Sequence, residues 1–292
     1  FIFIPELQKR LPNNPFLQKV ESDGEGFSDE KIKLPEKMLS TDKAYTWGEI
    51  EKWLERISKF SEEINVQLSE IQIKGTAKLD GFAGYDDGKK LYTRGDGNKG
   101  SDISRVFQRG LGILNDSERG QGPGEIVVKR SYFEDHLSND FEYPRNFQAS
   151  LIKEKELDKF ARDAIDAKAA LFVPFKQLPF WKGNIDEFKN QFLDIVIKLE
   201  GGVDFDIDGV VFEIVNPELK EFMGSNRKFH RWQIAYKENK EKAQVKVISV
   251  TAQVGRTGKI TPVAELEPTQ LSGATIYRAT GHHYGLVKEQ GL

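Results

Sequence analysis

The chain has no cysteine, which excludes disulfide bridges, thiolate metal sites and cysteine nucleophiles together. No apolar run approaches the ~20 residues needed to span a bilayer, so a helical transmembrane protein is excluded. The opening Phe1-Ile2-Phe3-Ile4-Pro5 is too short for a signal-peptide core and follows no basic start. There is no internal repeat, no low-complexity tract and no glycine-rich loop ending in Gly-Lys-Ser/Thr. A P-loop nucleotidase is therefore excluded. These absences lead to the expectation of a soluble, cytoplasmic protein. What is present is ample: 292 residues, 38% hydrophobic and 30% charged, with 20 Phe, 8 Tyr and 4 Trp. That supports one large or two ordinary packed domains and excludes wholesale disorder.

The net charge of −3 hides an asymmetry. Between Gly224 and Ile260 nine Lys/Arg face two acids, so this stretch carries about +7 and the remainder about −10. A basic stretch on an acidic body suits a phosphate backbone, although a solvated charged face is the commoner meaning of such a run.

Residues 1–45, with Pro5, Pro12, Pro15 and Pro35 and no sustained period, read as an extended arm lying on something else. Thr46-Trp47-Gly48-Glu49 is a capping box, and Ile50, Trp53, Leu54, Ile57, Phe60 and Ile64 follow at helical spacing. Strands are expected over 71–78, 81–85, 90–93, 125–129, 207–215 and 232–236, with Asp86-Asp87-Gly88 as a hairpin turn. Ser131-x-x-Glu134 reads as a further helix cap, and single helices are expected over 150–167 and 185–199. From Ala243 onward the pattern is β throughout. The class is α+β, with a second, all-β piece starting near residue 240.

Several attractive motifs fail. Asp204-x-Asp206-x-Asp208-Gly209 begins like a calcium loop, but its twelfth position is Val215 where a bidentate Glu is needed. Arg94-Gly95-Asp96 has no meaning as an adhesion signal in a cytoplasmic chain, and His282-His283 is a weak metal signal. One segment survives. Ala77-Lys78-Leu79-Asp80-Gly81 places a Lys at a strand end before a tight glycine, where burial or neighbouring cations could make it a nucleophile. Alone, such a motif is more often a surface Lys in a turn.

Its followers change that. Thr93-Arg94-Gly95-Asp96-Gly97, Gly124-Glu125-Ile126, Tyr143-Pro144-Arg145-Asn146, Ile207-Asp208-Gly209-Val210-Val211, Arg231-Trp232-Gln233-Ile234-Ala235-Tyr236-Lys237 and Gln253-Val254-Gly255-Arg256-Thr257-Gly258-Lys259-Ile260-Thr261-Pro262 come in order. From about Lys37-Met38-Leu39-Ser40 to the C-terminus the chain resembles the NAD-dependent DNA ligases. The resemblance implies a nucleotidyltransferase (adenylation) domain of antiparallel sheets with flanking helices over 46–238. An incomplete all-β OB-fold over 239–292 would follow it.

It also implies the chemistry. Lys78 would attack the α-phosphate of NAD+, and the lysyl-adenylate would pass AMP to the 5′-phosphate of nicked duplex DNA, which the 3′-hydroxyl then seals. Asp80, Glu125, Asp208 and Lys237 join Lys78 as catalytic residues by the same resemblance, with Glu125 binding the ribose or Mg2+, Asp208 serving as a Mg2+ ligand or proton-transfer carboxylate, and Lys237 neutralising the α-phosphate. Thr76, Leu79, Arg94, Arg145, Phe175 and Val211 would complete the nucleotide site, Phe175 by stacking on adenine. Arg94, Arg227, Arg231, Arg256 and Thr257 would meet the DNA. Each step is an in-line displacement at phosphorus, where positioning and charge neutralisation dominate.

Four departures stand out. Thr76 occupies a place where the family has Glu reading the adenine amino group. Glu213 occupies a place where the family has Lys, and would repel phosphate unless a metal or a shifted Lys compensates. Phe147–Lys153 lacks a second Arg, leaving Lys153 as the nearby cation. The nicotinamide-recognising, zinc-finger and helix-hairpin-helix domains of the family are not matched, so a fragment, or one subunit of a split phage-like ligase, is expected. A second polypeptide or further C-terminal residues would then close the OB-fold, whose open edges need partners. A weakened nicked-DNA-binding subunit and an ATP-using relative are the alternatives.

Overall fold

The computed structural model describes residues 31–153, 156–238, 243–254, 258, 260–271, 274–281, 284–289 and 291. The chain divides into two units at residues 238/239.

In the first unit, β1 (Ile32–Lys33) and β2 (Ser40–Ala44) precede helix α1 (Trp47–Glu63). Next come β3 (Gln72–Leu79), β4 (Phe82–Asp86), β5 (Leu91–Thr93), β6 (Lys99–Gly100), α2 (Arg105–Gln108), β7 (Gly112–Ile113) and β8 (Gly122–Val128). Helices α3 (Arg130–His136), α4 (Pro144–Lys153) and α5 (Lys159–Asp166) lead to β9 (Ala170–Pro174) and β10 (Phe180–Asn184). The unit ends with α6 (Ile185–Glu200), β11 (Ile207–Ile214), α7 (Pro217–Met223) and β12 (Phe229–Tyr236).

Two five-stranded sheets organise it, in the orders β10-β3-β11-β12-β2 and β5-β4-β8-β9-β7. The pairings are antiparallel except β2 with β12 and β7 with β9. Strand β3 belongs to the first sheet and β4 to the second, so the turn at Asp80-Gly81 is the hinge line between them.

The two-residue period of β3 decides what each face does. Ile73, Gly75, Ala77 and Leu79 are buried, whereas Lys74, Thr76 and Lys78 stay partly open. The inward face joins a core of Ile50, Trp53, Phe188, Phe192, Phe212 and Ile234, covered by α1, α6 and α7. Phe212 lies at its centre, 4.8 Å from the ring of Phe188 and 5.7 Å from that of Phe192. Gly75 is required beneath it, because a Cβ there would come within 2.8 Å of the Phe212 ring. The second sheet packs α4 and α5 over Ile126, Val128 and Phe172.

The capping box of α1 forms as the sequence predicts, with the Thr46 hydroxyl accepting from the Glu49 N–H and the Glu49 carboxylate from the Thr46 N–H. Three local expectations differ. The helix over 150–167 is two helices, because the Asp158 carboxylate accepts from the Ala161 N–H and starts α5 afresh. Ser131 does not cap α3. Its hydroxyl and N–H both donate to the carboxylate of Asp204, a partner distant in sequence. The expected extended arm, over its described residues 31–45, contributes β1 and β2, and β2 is an edge strand of the first sheet.

The second unit contains β13 (Val247–Val254), β14 (Ile260–Leu271) and β15 (Ala274–Thr280) in one antiparallel sheet, then α8 (Tyr284–Glu289). Among the described residues it is a three-stranded sheet with a short helix rather than a closed barrel, so the all-β expectation misses α8. Ala264, Leu266 and Val287 are its buried hydrophobics. None of the described helices is long and apolar enough to cross a membrane.

The fold generates one stability prediction. Phe212→Ala should cost about 3–5 kcal/mol, the usual penalty for emptying a buried aromatic site. Equilibrium urea denaturation measures it, and a loss below about 1 kcal/mol would show that the aromatic cluster is not the centre of this core.

Candidate active site

The polar face of β3 forms the floor of a cavity of about 630 Å3. Lys74, Thr76 and Lys78 come from β3, Val211 and Glu213 from β11, and His230 and Trp232 from β12. The second sheet and its loops supply Ala83, Tyr85, Arg94, Glu125 and Phe175. The remaining wall is the stretch Glu36–Thr41, six consecutive residues that run from the β1–β2 connection into the start of β2.

At one end of this cavity Lys78 Nζ donates to Asp208 Oδ2 at 2.9 Å. Lys237 Nζ donates to the same oxygen. Asp208 reaches both through an irregularity. The register of β11 against β3 shifts between Ile207 and Val210. Gly209 takes φ +106 there, in the left-handed region. A Cβ at Gly209 would run into the Tyr236 carbonyl, so only glycine lets β11 lie this close to β12 while turning Asp208 outward. Burial pushes the Asp208 carboxyl up, but the hydrogen bond from Lys237 and the charge of Lys78 outweigh it and leave it below the usual Asp range.

Glu125 faces the same end from β8. Its Oε2 accepts the Gly81 N–H at 2.6 Å. A Cβ on Gly81 would lie 2.8 Å from that oxygen and 2.5 Å from Val127, so the hinge glycine is needed for the approach. Burial pushes Glu125 up to about 7, against the opposing pull of the Lys78 charge and the Gly81 bond. A carboxyl titrating near neutrality beside a candidate nucleophile is a common mark of a functional site. Asp80 pairs with Arg145 at 2.9 Å, and its N–H donates to the Asp206 carbonyl at 2.9 Å. A smaller recess of about 80 Å3 is lined by Lys78, Asp80, Arg94, Glu125 and Arg145 among others.

The structure thus brings Thr76, Lys78, Arg94, Glu125, Phe175 and Val211 to one cavity, and Asp80, Arg145, Asp208 and Lys237 to its Lys78 end. Leu79 borders the cavity, although its side chain is buried with Val127 and Val173. Arg227 and Arg231 line neither recess. The Arg231 guanidinium donates to the carbonyls of Met223 and Ser225, at 3.0 and 3.4 Å. Arg256, Thr257, His282 and His283 lie outside the described residues, as does the side chain of Lys153.

Sequence reasoning missed Lys74, Tyr85, His230, Trp232 and Lys220, together with Glu36 and Thr41. For Lys74 the signal was present in the alternation of β3; for the others it was not, because they arrive from separate elements.

The donor set also bears on a divalent metal. Among the described residues no group of three or more His, Asp and Glu side chains could hold one. Asp208 Oδ2 is taken up by two ammonium groups. Mg2+ commonly takes one or two carboxylates and completes its shell with substrate phosphate oxygens and water. Glu125 fits that pattern, whereas the described residues form no all-protein cage.

Comparison with known proteins converges on one family. The family model for the NAD-dependent DNA ligase adenylation domain matches residues 27–162, and that for the NAD-dependent DNA ligase OB-fold domain matches residues 244–292. A DNA ligase of Ruthia magnifica is 63% identical over all 292 residues, which span 48% of that protein. A DNA ligase of Psychromonas ingrahamii is 54% identical over 99% of the chain and 44% of its own length, and one of Anaplasma marginale is 31% identical over 90% and 43%. The chain therefore spans about half the length of these relatives. Matched in order by both domain models, and along its whole length by proteins called DNA ligase, the chain belongs to the NAD-dependent DNA ligase family.

Proposed function

We propose that this chain is the adenylating core of a DNA ligase that activates the 5′-phosphate of a nick with AMP taken from NAD+. The observation that carries this reading is the Lys78–Asp208–Lys237 chain at the end of a nucleotide-sized cavity. Lys78 must lose a proton before its amine can attack phosphorus. Asp208 Oδ2 accepts from it and is the atom through which that proton would leave. The Lys237 ammonium shares this oxygen and would move to the α-phosphate oxygens as negative charge builds on them.

In the first displacement the Nζ–P bond forms and the bond from phosphorus to the nicotinamide mononucleotide oxygen breaks. The 5′-phosphate oxygen of the nick then attacks the same phosphorus and releases Lys78. Attack of the 3′-hydroxyl on the 5′-phosphorus expels AMP. Arg94 and Arg145, which line the smaller recess beyond Lys78, would hold the incoming phosphate, with Asp80 paired to Arg145. Phe175 on the cavity wall offers a face for the base. Glu125 would hold Mg2+ together with phosphate oxygens, where the ion would supply charge neutralisation. Arg227, Arg256 and Thr257 are proposed as further DNA contacts, Arg231 as a support for the backbone at Met223 and Ser225, and the division at residue 238/239 as the domain boundary. Further residues or a second polypeptide would complete the second unit.

Intact-protein mass spectrometry after incubation with NAD+ and Mg2+ tests this. An AMP adduct is expected on the parent and none on Lys78→Ala. An adduct that persists in Lys78→Ala would overturn the assignment. Lys237→Ala should slow adduct formation by about 100-fold or more, the scale for removing one charge-stabilising donor.

Glu125 generates a pH prediction. Its folded value of about 7 lies above its ordinary 4.5, so its contribution to stability is present at low pH and is lost as pH rises from about 4.5 through about 7. Glu125→Gln should abolish that loss. Thermal midpoints of the two proteins, followed from about pH 5 to about pH 8, should converge at the acid end and diverge towards the alkaline end, with the variant the more stable. Parallel curves would show that Glu125 titrates normally.

A further inference from the structure

The second departure from the family, Glu213, does not sit where a phosphate would be. Glu213 pairs in register with Lys74 and Val211 with Thr76 across β11 and β3. Lys74 is four residues before Lys78 along β3, which at about 3.4 Å per residue places Glu213 roughly 14 Å along the strand from the Lys78 end. That is the far end of the cavity, where the base of a mononucleotide with its phosphate at Lys78 would lie.

The carboxylate is also firmly held. Lys220, from α7, donates to Glu213 Oε2 at 3.1 Å. Only about a quarter of each side chain is exposed, 26% for Lys220 and 25% for Glu213. Lys220 Nζ lies in turn 4.2 Å from the ring centroid of Trp232, which is stacked on His230 at 4.5 Å. Both rings line the cavity. The rotamer of Glu213 is thereby restricted, with one oxygen committed to Lys220. An ionised carboxylate can only accept hydrogen bonds.

We propose that Glu213, positioned by Lys220, is the base-reading and specificity-determining residue of this nucleotide site, and that it selects a 6-aminopurine over a 6-oxopurine. This deepens the adenylation reading and rests on it for the placement of the phosphate. The chemistry is complementary on both edges. A 6-aminopurine presents an exocyclic N–H donor, which Glu213 accepts, beside a ring-nitrogen acceptor, to which the Thr76 hydroxyl one diagonal position away can donate. A 6-oxopurine reverses the donor and acceptor, and its carbonyl oxygen would face the carboxylate. Val211, two residues before Glu213 on the same face, supplies apolar surface beneath the ring.

Isothermal titration with AMP and IMP tests the proposal without requiring any chemical step. The parent should bind AMP at least about tenfold more tightly than IMP, the scale of one charge-assisted hydrogen bond. In Glu213→Gln, whose amide offers both a donor and an acceptor, the AMP:IMP ratio should fall towards unity. Lys220→Met should lower the ratio as well, and adding it to Glu213→Gln should change nothing further, because Lys220 acts through Glu213. Far-UV circular dichroism controls for folding. Lys78→Ala, with its base site intact, should keep the parent ratio, so loss of adenylate formation and loss of base reading fail separately. Equal binding of AMP and IMP by the parent, or an unchanged ratio in Glu213→Gln, would overturn the proposal. A parent that binds neither nucleotide would overturn this and the adenylation reading together.

Discussion

Two ammonium groups, Lys78 and Lys237, converge on a single oxygen of Asp208, and much of the surrounding architecture exists to make that arrangement tolerable. Two like charges this close and largely withdrawn from water repel strongly unless an anion lies between them. Asp208 can lie between them only because β11 breaks register against β3 and Gly209 adopts a conformation closed to side chains. The cost of the irregularity is local, while the pairings of Val210 to Glu213 restore the sheet at once. In the adenylation proposed for this chain, the same cluster would give chemistry its starting point: a lysine whose proton has an acceptor, beside a cation that could follow the charge onto phosphate.

The second organising constraint is the parity of β3. One face must satisfy a close-packed aromatic core and the other must present cations to a cavity, and a strand does both because its side chains alternate. Slipping the register by one residue would exchange Lys78 with Leu79, burying a charge and exposing the core. Stability and site geometry are therefore set by the same pairing. The hinge at Gly81 extends this coupling to the second sheet, since the Gly81 N–H fixes Glu125 only if nothing larger than hydrogen stands at that position.

Electrostatics along the cavity grade from one end to the other. At the Lys78 end there are cations with Glu125 and Asp208 to balance them. At the Lys74 end, Glu213 is matched by Lys220 across α7. The departure at Glu213 thus has a compensating partner, of the shifted-lysine kind that the sequence reading left open. A residue that looks damaging when aligned against phosphate is unobjectionable once it is seen to face another part of the cavity.

The linear text was enough for the parts of this protein that depend on local chemistry. It located the capping box at Thr46 and Glu49, the helix behind it, and the strands carrying Lys78, Glu125 and Asp208, because caps and two-residue alternation are short-range effects. The ordered motifs likewise marked Lys78, Asp208 and Lys237 as belonging together. It could not show that Ser131 is held by Asp204, or that Asp158 restarts a helix within an apolar-periodic stretch. Nor could it place Glu36–Thr41 on the cavity wall or bring Lys220 to Glu213. Those contacts join residues from separate elements, and no local preference encodes the direction in which two packed elements face each other. The sequence by itself determined which residues are able to do chemistry and which face of each strand they occupy. Only the tertiary structure decided which of them meet, because meeting depends on register and on the close approaches that Gly81 and Gly209 permit.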